Sequence, residues 1–314
     1  MAGGIAFGLG IALRSKRLSG FGREELLAAV INAALLGAFF GIISLINGVY
    51  LDYSSTSPTA FANCTQAAAS ISNYTSSPLA PVFAACEYST AASSLQATSE
   101  NMIRAQAGLG YLSKVALNLP GASISPFAGF ESVLKSLSDS ANYISISFAA
   151  ATLYSSIFSM FSSLAMAIGF PAGFLLRAFY PTRRLGSMLI AMSFGAIAVL
   201  SLCALGTAQS VDNAITKSSE LAASADSFSD YVSPALSANP NDSGFYAMLR
   251  GYFPSGDLAS KSNALAGVAW SLVSYCALAF FILPLVSIIL ALSFSCALSG
   301  ALDLDGISSA YMYS

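Results

Sequence analysis

The stretch Leu26–Tyr50, LLAAVINAALLGAFFGIISLINGVY, contains no ionised residue. A bilayer core is about 30 Å thick and takes roughly 20 helical residues, so this stretch is long enough to cross it. Three more charge-free stretches follow, Ser140–Leu176, Leu185–Val211 and Ser262–Leu302. The composition agrees, with 55% hydrophobic and 9% charged residues, whereas soluble domains carry about 25% charge. The reading is an all-α polytopic membrane protein with four transmembrane helices, some of them extending into a helical extracellular bundle. Intramembrane charge is the usual mark of ion and proton carriers, and its absence argues against ion coupling.

Charge placement orients the chain by the positive-inside rule. Arg14, Lys16, Arg17 and Arg23 precede the first stretch, and Arg177, Arg183 and Arg184 lie between the second and third. The other six bases are spread through two long loops that also hold eleven acids. This predicts a cell-membrane protein with both termini cytoplasmic and two large external loops. The segments are 1–25 cytoplasmic or interfacial, 26–50 first span, 51–143 external loop one, 144–178 second span and 179–184 cytoplasmic. Then come 185–208 third span, 209–264 external loop two, 265–299 fourth span and 300–314 cytoplasmic tail. Met1–Leu13 is apolar but too short to span, and its bases follow the apolar part, the reverse of a secretory signal.

Five cysteines divide by position. Cys203, Cys276 and Cys296 fall in apolar stretches, where a thiol behaves as a small hydrophobe. Cys64 and Cys86 fall in a polar Ser/Thr/Ala-rich region, and in an oxidising compartment they would pair. Three sequons, at Asn63, Asn73 and Asn241, lie in the same two loops and are candidate glycosylation sites. Tyr50, Tyr53, Tyr143 and Trp270 suit outer interfaces, with Phe179 and Tyr180 inside.

The loops show helical periodicity. Apolar residues recur at Leu95, Met102, Ala105, Leu109, Leu112 and Ala116 before Pro120-Gly121 breaks the chain. The period resumes at Phe127, Phe130, Leu134, Leu137 and Ala141 and runs into span two. Beyond span three it passes through Val211, Ile215, Ala222, Ala225 and Tyr231 as far as Pro234. Together these segments predict an external helical bundle stapled by the cysteine pair, with 54–79 a loosely ordered surface.

Within the spans, small residues repeat at every fourth position: Ala33, Gly37 and Gly41; Ser155, Ser159, Ser163 and Ala167; Ser187, Ala191 and Gly195. Such rows let helix backbones approach closely in lipid. They serve either packing among the four spans or a seam for a second copy or partner membrane subunit. Pro171 is expected to end or kink span two, and Pro284 interrupts the fourth stretch.

Several motifs carry candidate chemistry. The run Lys16-Arg17-Leu-Ser-Gly20-Phe21-Gly-Arg-Glu24-Glu25 before an apolar helix resembles a type IV prepilin junction over about ten residues. Gly22, Arg23 and Glu24 stand where that family has apolar residues, and three further spans follow. The run is therefore read as a basic inside flank, with Glu24 and Glu25 beside the N-terminus of helix one. Four spans with two external loops are also the plan of tetraspanins and claudins, but neither Cys-Cys-Gly nor Trp-Gly-Leu-Trp occurs. Asp303-Leu-Asp305 lacks the further oxygen ligands of a calcium loop, and Asp226 and Asp230 fit an exposed helix face. There is no histidine, which removes the commonest metal ligand and general base.

The functional expectation is a non-catalytic membrane structural or interaction protein, a subunit of a larger envelope or surface assembly. It needs no cofactor or metal and contacts membrane lipid and no nucleic acid. The alternative is a channel or carrier for an uncharged or weakly polar solute, lined by the Ser-rich second span and the kinked fourth.

Overall fold

A computed structural model of the chain describes residues 8–9, 11–56, 64, 79–115, 117–119, 122–124, 127–178, 182–237 and 257–311. Its elements are α1 (Lys16–Thr56), α2 (Leu79–Ser113), β1 (Leu117–Leu119), β2 (Ala122–Ile124), α3 (Glu131–Leu164) and α4 (Phe170–Ala178). They continue with α5 (Arg183–Phe194), α6 (Leu200–Ser237), α7 (Asp257–Ala277) and α8 (Leu283–Tyr311). The two short strands pair antiparallel, and everything else of length is helical. Four helical stretches are long and apolar enough to cross a membrane: Glu25–Tyr50, Glu131–Met160, Arg183–Pro234 and Asp257–Ala301. The third has 52 residues, about 78 Å at the α-helical rise, far more than a bilayer requires.

The excess length forms a four-helix bundle of α2, the first part of α3, α6 and α7. On α2 the buried positions Ala84, Tyr88, Ala91, Leu95, Thr98, Met102, Ala105, Leu109 and Leu112 alternate steps of four and three. The same spacing runs from Leu137 to Phe158, from Ala204 to Val232 and from Leu258 to Ala279. A repeat averaging 3.5 residues keeps one seam facing its neighbours along a gently supercoiled helix. One continuous core cluster results. A polar layer crosses it: the Ser218 hydroxyl meets Ser94 Oγ at 2.8 Å and Thr98 Oγ1 at 2.6 Å. Such a layer fixes the register of parallel α2 and α6, since any slip leaves buried hydroxyls unpaired. On the outside, Trp270 Nε1 donates to Ser136 Oγ at 2.7 Å.

Three single-turn π-helices interrupt the long rods, at Ala165–Gly169, Gly195–Val199 and Leu278–Ile282. Two of them stand just before Pro171 and Pro284. A proline offers no N–H to the carbonyl one turn back and crowds it. The wider turn absorbs that misfit, so the rods continue to Ala178 and Tyr311 where a stop or sharp kink was expected at Pro171.

Several boundaries differ from the sequence reading. The loop-one helix begins at Leu79, not near Leu95, and so includes Cys86. The helix after span three runs through Pro234 to Ser237. Its core positions are Val211, Ala214, Ser218, Leu221, Ala225, Phe228 and Val232, while Ile215, Ala222 and Tyr231 lie only half-buried beside them. Helix α1 starts at Lys16, so Glu25 is well inside it rather than at its N-terminus. Glu25 instead accepts a 2.9 Å hydrogen bond from Arg183 at the start of α5.

Candidate functional site

Helix α1 touches the rest of the protein along one stripe. Phe39 stacks on Phe170 with ring centroids 3.8 Å apart, Ile43 joins the same cluster, and Ile46 and Tyr50 pack on Phe83 and Ala198. Cys64 and Cys86 form a disulfide inside that second cluster. The connection after α1 is thereby fixed against α2, as the cysteine positions suggested.

The three small-residue rows have different fates. On α5, Ser187, Ala191 and Gly195 are all buried. Gly186, beside Ser187, would place a Cβ 2.6 Å from Gly173 O and 2.9 Å from Arg177 Cα, and a Cβ on Gly195 would fall on Ser295 Oγ. This row is a backbone-to-backbone packing seam within the chain. On α3, Ser155 is half-buried and donates to Ala85 O at 2.9 Å, Ser159 is exposed, and the Ser163 side chain lies outside what is described. On α1, Ala33, Gly37 and Gly41 are exposed, and a Cβ on Gly37, Gly41 or Gly48 would meet nothing within 4 Å. At 100° per residue these glycines stand opposite the Phe39–Tyr50 stripe. The sequons at Asn63, Asn73 and Asn241 lie outside the described residues. Asp226 and Asp230 are exposed, as expected of a solvated face.

Where α1, α2 and α6 meet, the fold collects polar groups that the charge-free stretches did not reveal. The Tyr50 hydroxyl donates to Ser201 O at 2.6 Å, and the Tyr88 hydroxyl lies 3.2 Å from Thr207 Oγ1. Thr207 sends its own proton to Ala204 O at 2.8 Å, so Tyr88 is the donor of that pair and keeps an oxygen lone pair free. Beside Tyr88, Glu87 is 1% exposed, and neither of its carboxylate oxygens has a hydrogen-bond partner among the described residues. Burial, and then the Asp212 carboxylate on α6, push Glu87 up to about 8 from the ordinary carboxylate range. It is therefore held as a neutral acid at pH 7. Burial also raises the Tyr88 phenol well above its usual value.

Glu87 was missed because the sequence reading started the loop helix at Leu95. A signal was there: Phe83, Glu87 and Ala91 share one face at spacings of four, and that face is buried. An acid on an apolar helical stripe is unusual enough to mark.

Below Tyr88 lies a cavity of about 450 Å³ between α3–α4, α5–α6 and α8. Two of the π-turns border it, one through Ala165, Ile168 and Gly169 and the other through Ala196, and Pro284, two residues past the third, lines it as well. Its hydroxyls are mostly committed: Ser287 donates to Leu283 O and Ser295 to Ala291 O, each at 2.8 Å. No ionised residue lines it. Among the described residues, no cluster of three His, Cys, Asp or Glu could hold a metal ion. Comparison with known families, characterised proteins and solved structures finds no match to this chain.

Proposed function

We propose that the chain is a non-catalytic integral membrane protein that displays a helical ectodomain and joins a larger envelope or surface assembly through its first span. The membrane reading rests on two layers, one on the first three rods and one on all four. One is the ionic layer of Glu25, Arg177 and Arg183; the other contains Tyr50, Phe158, Thr207 and Phe280 around Tyr88. From Arg183 to Thr207 is roughly 24 residues, about 36 Å of helix, and Glu25 to Tyr50 is nearly the same. That separation fits a bilayer core plus its interfaces. Large apolar side chains between the layers face outward, as with Ile168 at 58% and Leu285 at 59% exposed. On this reading the four-helix bundle begins at the outer surface and projects beyond it, and the sequons fall on the external side.

The observation that carries the assembly role is the empty glycine face of α1. A span with Gly37, Gly41 and Gly48 aligned and uncovered allows another helix to approach its backbone closely. The occupant is a second copy or a partner membrane subunit. Mass measurement in mild detergent or nanodiscs tests this: wild type is expected to run as an oligomer or with a bound subunit. Gly37→Leu with Gly41→Leu is expected to release folded monomer. A wild-type protein that is monomeric and free of other chains at native expression would overturn the reading.

The alternative, a channel or carrier, has less support. Ser155 is engaged with α2 and Ser159 faces outward, so that serine row lines no path. Above the cavity the bundle core is filled by Tyr88, Phe158 and Phe280.

A further inference from the structure

The cavity below Tyr88 has features that ordinary helix packing does not call for. It holds about 450 Å³, within the range of small-molecule sites. Its rim includes Leu164, Ile168, Met192 and Leu292, all strongly exposed side chains. The cavity is therefore open sideways, at a height that the membrane reading assigns to hydrocarbon. Two π-turns and Pro284 bound the same space, and π-turns are enriched at functional sites.

The polar atoms set the chemistry of an occupant. Along the wall, Ser287 and Ser295 spend their protons on their own helices, which leaves a surface suited to a hydrocarbon tail. At the roof, Tyr88 donates to Thr207, so the remaining capacity of its oxygen is to accept. A ligand head that donates a hydrogen bond is complementary to it. No base lines the space, and Glu87 with Asp212 lies just past the roof. A carboxylate or phosphate head would find no counter-charge there and two acids nearby.

We propose that this cavity binds an uncharged single-chain amphiphile entering from the bilayer, with its tail between α3–α4, α5–α6 and α8 and a hydroxyl head on Tyr88. The inference rests on the membrane reading but is independent of the assembly at α1. Ligand position would be stabilised by burial of the chain and oriented by one hydrogen bond, the usual division in apolar sites.

The test uses the full chain in phosphatidylcholine nanodiscs, with Trp270→Phe and Ile168→Trp to place one indole at the rim. The probes are 12-bromododecan-1-ol, 1-bromododecane and 12-bromododecanoate, whose bromine quenches that indole. Saturable quenching by the alcohol is expected, about five-fold tighter than by the bromoalkane, which is the worth of one modest hydrogen bond. Tyr88→Phe keeps the ring and should bring the alcohol down to the bromoalkane. Ala196→Phe, which projects a ring into the cavity, should abolish saturation for both, with thermal midpoints confirming that each variant is folded. Quenching linear in probe and equal in Ala196→Phe would mean partitioning into the bilayer alone and would overturn the proposal. Carboxylate binding as tight as the alcohol would overturn the neutral head. A chain that does not incorporate into nanodiscs refutes the membrane reading itself, a result distinct from either of these.

Discussion

Replacing Glu87 by glutamine should remove a pH dependence of stability that the wild type carries. In the unfolded chain a glutamate ionises near pH 4.3, while in the fold burial and Asp212 hold Glu87 up to about 8. Between those values the folded protein binds a proton that the unfolded chain has lost. Stability therefore falls as pH rises through this window, by about 1.4 kcal/mol per unit, and levels off above it. Over the full window the loss is about 5 kcal/mol, on the order of 10 °C in thermal midpoint for a chain of this size. The groups facing Glu87 are Tyr50 from α1, Tyr88 on α2 and Asp212 from α6. Burial holds the Tyr88 phenol well above its usual value, so the Glu87 carboxyl carries the local response across this window. Scanning fluorimetry in nanodiscs between pH 5 and 9 should show the wild-type midpoint falling with pH and Glu87→Gln nearly flat. Asp212→Asn should end the wild-type fall at lower pH, because it removes the second cause of the shift. Parallel curves for wild type and Glu87→Gln would refute the buried neutral acid.

Other perturbations follow from the same packing. Gly186→Leu must push α4 and α5 apart, because the obstructing atoms are backbone of Gly173 and Arg177; a loss of about 3 kcal/mol is expected, read as a lower thermal midpoint. Cys64→Ser opens a loop of sequence separation 22 and should cost about 3 kcal/mol. Reductant should lower the wild-type midpoint equally and leave the variant unchanged. The Glu25–Arg183 pair is about one quarter exposed on each side, so a double-mutant cycle with Glu25→Gln and Arg183→Gln should give a coupling of at most ~1 kcal/mol. A larger coupling would mean that this layer is drier than its exposure indicates.

Much of the architecture was legible because it is written in periodicity. Leu95, Met102, Ala105, Leu109 and Leu112 were read as one helix face from spacing alone, and all five are buried. The length of the apolar stretches pointed to rods longer than a bilayer, and the helices observed have that length. The Cys64–Cys86 pairing followed from the separation of two loop cysteines from three apolar ones. The candidate site was hardly legible. Tyr88, Thr207 and Phe280 come from α2, α6 and the turn after α7, so their meeting depends on bundle register, which no local pattern states. The cavity is lined by two π-turns, and only the one before Pro171 is announced by a proline.

The three small-residue rows show where a local pattern stops being informative. Rows on α1 and α5 have the same spacing, yet one is filled by backbone and the other is bare. Connectivity explains the difference. Only four residues separate α4 from α5, so these helices must be neighbours, and glycines at 173 and 186 let them close to contact. Helix α1 is joined to α2 by a long connection and held by the disulfide, two aromatic clusters and one ion pair. Those contacts use one stripe, which leaves the opposite face without an internal partner. The same step accounts for Glu87. The chain excludes charge from every apolar stretch, then returns α2 from the connecting loop and lays one acid against their ends. A charge-free span therefore does not imply a charge-free interior, and a search for function limited to span residues would pass over the most unusual group in the protein.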